Sequence, residues 1–163
     1  QAGPELEFNA NALSHRISPP FSDADIELLL GLEPLLVEID LSNTEVTDAG
    51  IARLAGFDVL RTIKLKDTRV GDASAAVLAA LPALEVVNVF GTDIADRGLL
   101  ELAGSSSIRT IYAGESEVTA AGVRSAEQLD PGLVIHHQGP TPAAPPGDSG
   151  IPLDPEQDAA SGS

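Results

Sequence analysis

The sequence predicts an α/β solenoid, with a parallel β-sheet on the concave side, helices on the convex side and about five strand–helix units stacked in a row. Two observations carry that prediction: a 24-residue period kept in register through four copies, and a change of hydrophobic spacing within each copy. A third sets the chemistry of the core. Aromatic residues make up only 3% of the chain, so the interior is built from Leu, Ile, Val and Ala.

The period emerges when LLVEIDLSNTEVTDAGIARLAGFD is laid over LRTIKLKDTRVGDASAAVLAALPA, LEVVNVFGTDIADRGLLELAGSSS and IRTIYAGESEVTAAGVRSAEQLDP. After a one-residue phase adjustment, Leu36, Leu60, Leu84 and Ile108 fall in one column, 24 residues apart. Ile39, Ile63, Val87 and Ile111 form a second column, and Leu41, Leu65, Val89 and Ala113 a third. Farther along come Val46, Val70, Ile94 and Val118, then Ile51, Ala75, Leu99 and Val123, then Leu54, Leu78, Leu102 and Ala126.

Each copy reads as a strand, a turn and a helix. Alternation at 39/41, 63/65, 87/89 and 111/113 is the period-2 signature of a half-buried strand. Ile51/Leu54 and Leu99/Leu102 are three residues apart, the spacing of a helix's inner face. Between these segments lie TDAG, GDAS, ADRG and TAAG. Asp48, Asp72 and Asp96 stand where a carboxylate meets the positive end of a helix and accepts its free N–H groups, so each is expected to cap its own helix. Ala120 breaks that column.

Residues 1–35 hold the same order of elements with an inserted SPPF, and read as a divergent N-terminal capping repeat. Its strand is expected from Leu6 to Asn11, and a helix capped by Ser22 or Asp23 is expected to run through Leu30. Residues 36–137 are the four repeats plus a closing strand, Leu133 to His136. Residues 138–163 contain six of the twelve prolines, four acids and no base, a composition expected of a disordered tail or linker.

The pattern L-x-x-L-x-L-x-x-T-x-V-T-D-x-G-L-x-x-L resembles a leucine-rich repeat, in the bacterial form with a T-x-V-T-D-x-G turn. The Asn or Cys usual at the ninth position is replaced here by Thr44, Thr68, Thr92 and Ser116, whose hydroxyls can still bond adjacent backbone. From about Glu5 to Gly139 the chain is similar to the leucine-rich-repeat domains of bacterial envelope proteins, which often accompany a c-type cytochrome domain. The resemblance implies a protein partner, with a c-type cytochrome or a membrane-bound respiratory or photosynthetic complex as the host. It also implies an extracytoplasmic location, in the periplasm or cell envelope, as does the lack of an initiator Met in a chain that begins Gln1-Ala2-Gly3. The chain has no C-x-x-C-H, so it is expected to bind no haem, and no other cofactor is expected.

A formal charge of −16 and a pI near 4.2 argue against nucleic acid, whose phosphates need clustered Lys and Arg. No apolar run reaches the roughly 20 residues of a membrane-spanning helix. Cysteine is absent, excluding disulfides and thiolate metal sites. Adjacent His136 and His137 point to opposite faces of a strand, and His15 lies at the other end of the solenoid, so a histidine metal site is not expected. Helix capping accounts for the aspartate column without calcium. Neither a Gly-rich phosphate loop nor G-x-S-x-G is present, and the chain is read as non-enzymatic.

Function is therefore sought on the outward strand positions. These run from Glu7, Asn9 and Asn11 through Glu38, Asp40 and Ser42 to Thr62, Lys64 and Lys66, then to Val86, Asn88 and Phe90, and finally to Thr110, Tyr112 and Gly114. The chain's two lysines share one strand of this acidic protein. One reading makes Lys64, Lys66, Asn88, Phe90 and Tyr112 a partner-binding spot, with charge for orientation and aromatic rings for buried area. The other has the lysines offset Glu38 and Asp40 across strands. The sequence reads best as a protein–protein interaction module, an accessory subunit docking on a larger envelope assembly. A carbohydrate-binding or surface-adhesion protein using Asn88 and Tyr112 is the alternative, and a hydrolase using Glu38 and Asp40 a third.

Overall fold

A computed structural model describes residues 5–10 and 20–137. Expectations for Asn11, His15 and the 138–163 segment lie outside these residues. Six strands form one parallel sheet in sequence order: β1 (Leu6–Asn9), β2 (Leu36–Asp40), β3 (Thr62–Lys64), β4 (Val86–Asn88), β5 (Thr110–Tyr112) and β6 (Val134–His136). The helical segments between them are η1 (Asp23–Leu29), α1 (Asp48–Ile51) continued by η2 (Ala52–Leu54), α2 (Asp72–Ala79), α3 (Asp96–Ala103) and α4 (Ala120–Leu129). The expected solenoid of five strand–helix units and a closing strand is the observed fold.

The 24-residue period becomes the sheet register. Ile39 pairs with Ile63, Ile63 with Val87, Val87 with Ile111, and Ile111 with Ile135. Because the register never slips across these strands, the apolar columns stack on themselves and leave water, with Val123 and Ile135 at the far end only partly buried. Leu36, Leu41, Leu60, Leu65, Leu84 and Val89 are all buried in one continuous core. Phe57 and Leu81 fill it from the helix ends, and Phe8 packs on Phe21 with ring centroids 5.6 Å apart at the first repeat.

One local expectation, that of regular helices throughout, needs correction. The first helix is a 3-10 helix, with Ser22 and Asp25 bonding each other's ends as a capping box, and the second breaks after four residues into a 3-10 turn. The threonine column stays within its own repeat: Thr44, Thr68, Thr92 and Ser116 donate to the carbonyls of Leu41, Leu65, Val89 and Ala113 at 2.6–2.7 Å. These buried hydroxyls close the turn after each strand rather than tying neighbouring repeats together.

The aspartates tie the repeats. Asp48, Asp72 and Asp96 do not cap their own helices; each carboxylate reaches the start of the next one. Asp23 begins the series by accepting from the N–H and hydroxyl of Thr47, both at 2.6 Å. Asp48 accepts from Gly71 N–H at 2.7 Å and from the Ser74 hydroxyl. Asp72 accepts from Ala95 and Gly98 N–H, and Asp96 from the N–H and hydroxyl of Thr119. Gly71 and Ala95 supply no side-chain cap to the helices they precede, so the aspartate one repeat back does so. A side chain at Gly98 or Gly122 would collide with that aspartate, which explains the glycine of the T-D-x-G turn. Ala120 breaks the column at α4, after which the sequence holds no further turn of this type for a carboxylate to reach.

His137 closes the stack. Arg69, Asp93 and Glu117 each donate a backbone N–H to the Val46, Val70 or Ile94 carbonyl of the repeat before. At the corresponding Val118 carbonyl the partner is His137 Nε2, at 2.9 Å. A ring nitrogen thus takes the place that a backbone amide holds in the earlier repeats.

Candidate functional site on the concave face

Register also decides which outward side chains meet. One row across the sheet is Asn9, Asp40, Lys64, Asn88, Tyr112 and His136, and the row beside it is Glu7, Glu38, Thr62, Val86, Thr110 and Val134. Four of the five expected binding residues, Lys64, Lys66, Asn88 and Phe90, lie together on adjacent strands or just past their ends. Tyr112 is next along the row, 38% exposed.

The lysines have separate tasks. Lys64 Nζ lies 2.8 Å from Glu38 Oε1, a cross-strand ion pair. That hydrogen bond raises the Lys64 pKa above its ordinary value; the nearby Asp40 and Glu7 charges add to the effect, and partial burial opposes it. Offsetting acid across strands is thus what Lys64 does. Lys66 instead pairs with Asp67 at 2.5 Å and places its ammonium 5.1 Å from the Phe90 ring centroid. Its aliphatic stem and charge join the aromatic half of the face.

Local bonds hold the polar members. Asp40 accepts from Ser42 N–H through Oδ1 at 3.0 Å and from Asn9 Nδ2 through Oδ2 at 3.3 Å. Asn88 uses its amide oxygen in the same way, accepting from Phe90 N–H at 3.0 Å. This bond at the strand end fixes where Phe90 leaves the sheet.

His136, weighed in the sequence only as a metal ligand, lies at the aromatic end of this face. Its imidazole stacks on the Tyr112 ring, with centroids 4.5 Å apart and planes 9° from parallel. The signal was its position, one 24-residue period beyond Tyr112. Among the described residues, Phe90, Tyr112, Gly114 and His136 line a cleft of about 220 Å³. The face thus grades from Glu7, Glu38 and Asp40 at one end to an aromatic, cleft-bearing end.

Residues 34–55 and 81–103 match the family model described as Leucine Rich repeat. The two matches fall on the first and third of the 24-residue copies, and the sheet register carries the same unit through the others. The described residues thus have the fold of a leucine-rich-repeat solenoid. Such repeats generally mediate protein–protein interaction and are typically non-catalytic. No curated protein matches the chain. Among the described residues no helix is long and apolar enough to cross a membrane.

Proposed function

We propose that this chain is a non-catalytic docking module whose concave sheet binds a protein partner, and that it serves as an accessory subunit of a larger cell-envelope assembly. The observation that carries the reading is the aromatic end of the row, where Phe90, Tyr112 and His136 surround a cleft beside Lys66. Rings supply contact area at little entropic cost, and clustered aromatic and cationic residues are the usual anchors of an interface. The resemblance to envelope leucine-rich-repeat domains supports an extracytoplasmic location and a host containing a c-type cytochrome.

Affinity capture from solubilised envelopes, with haem staining and mass spectrometry, tests both parts. A haem-bearing complex recovered by the native chain, and lost with the Lys66→Glu, Phe90→Ala, Tyr112→Ala variant, is the expected result. Recovery by both forms would move the interface off the concave face. Recovery of a defined complex without haem would keep the interface and remove the cytochrome host.

A further inference from the structure

One column of residues leaves the concave ends of the strands: Ser42, Lys66, Phe90 and Gly114, each 24 residues from the last. Two of its members show how this face holds a cation. The Lys66 ammonium sits 5.1 Å from the Phe90 centroid and 2.5 Å from the Asp67 carboxylate. Neighbours on an extended strand would point apart. Asp67 instead has left-handed backbone, φ 55°, and meets the side chain of the residue before it.

Gly114 stands two units along in the same column and contributes no side chain. The 220 Å³ cleft opens there, with Phe90 and Tyr112 in its lining. Glu115 follows with the same left-handed turn, φ 53°, in the register Asp67 occupies beside Lys66. It is exposed and forms no ion pair among the described residues. The cleft thus has aromatic walls, Phe90 on one side and Tyr112 stacked on His136 on the other, and the residue next in sequence to its Gly114 lining is a carboxylate with no cation beside it among the described residues.

We infer that this cleft receives an arginine side chain of the protein partner, its guanidinium against Phe90 and Tyr112 and paired with Glu115. The inference rests on the docking function proposed above and names the chemistry of its anchor. A chain of formal charge −16 favours a cationic partner on electrostatic grounds. Arginine suits the cleft better than lysine because its planar, weakly hydrated fork stacks on rings and pairs with a carboxylate through two parallel hydrogen bonds.

The test is a low-salt NMR titration of the full chain with acetylated, amidated Gly-Arg-Gly, beside the same peptide carrying citrulline, which keeps the shape and removes the charge. Saturable amide shifts centred on Tyr112, Gly114 and Glu115 are expected for the arginine peptide alone. Glu115→Gln, which leaves the fold intact, should weaken them about fivefold, as loss of one charge pair does. Equal shifts with citrulline, shifts centred on Glu38 and Asp40, or an unchanged response in Glu115→Gln would each overturn the inference. Partner capture by the concave face without an arginine response would remove this assignment alone. An arginine response with no captured partner would instead remove the docking function.

Discussion

Asp72 accepts the backbone N–H groups of Ala95 at 2.9 Å and Gly98 at 3.0 Å, so a carboxylate at the start of one helix caps the helix that follows it. Equivalent bonds run from Asp23, Asp48 and Asp96. The turn that starts each helix is thus fastened to the turn of the neighbouring repeat.

Removing one fastening should be measurable. Asp72→Ala leaves two part-buried donors without their acceptor and should cost about 1–3 kcal/mol in urea unfolding. Gly98→Ala forces a methyl group onto Asp72 Oδ1 and Ile94, and should cost about 1–3 kcal/mol. The two should be non-additive, since the carboxylate the methyl strikes is gone in the double variant. Strict additivity would show that the cost of Gly98→Ala does not come from its collision with Asp72.

Stability should fall at both ends of the pH range for different reasons. The Thr119 N–H, and then its hydroxyl, hold the Asp96 carboxyl below the ordinary value. Its contribution is present above the unfolded pKa, about 3.9, and is lost as pH falls through the lower folded value. Lys64, raised chiefly by its bond to Glu38, behaves oppositely. Its contribution is present below about 10.4 and is lost as pH rises through the higher folded value. Urea midpoints measured across pH should show a shallower acid limb in Asp96→Asn and a shallower alkaline limb in Lys64→Met.

Leu65 and Leu129 are the same residue type in opposite settings, 0% and 57% exposed. Leu65→Ala should cost about 2–5 kcal/mol by opening a cavity in the stack. Leu129→Ala should stay within about 0.5 kcal/mol, because its side chain already lies largely in water. Thermal or urea unfolding of the two variants checks the contrast.

The apolar columns were readable because one period governs strand pairing and burial together: Ile39, Ile63, Val87 and Ile111 are neighbours in sequence phase and in space. The aspartate column was readable as helix-capping, but not its direction, since an acid at a helix start looks the same whether it serves that helix or the next. The glycine at the T-D-x-G turn carried the missing information, and only stacking reveals what occupies its space. On the concave face, the Lys64–Glu38 pair followed from strand order. The Lys66–Asp67 pair did not, because it depends on a left-handed residue that composition leaves undetermined. His136 was hidden by its place in the divergent closing segment, although the period itself pointed to it.

The claim that the concave row faces a protein partner is tested most directly by photocrosslinking in native envelopes. The photoreactive p-benzoylphenylalanine would replace Asn88, in the middle of the row, or Arg97, exposed on α3 of the convex side. A discrete protein adduct from position 88, and none from position 97, is the predicted result. An adduct from position 97 with none from position 88 would contradict the account.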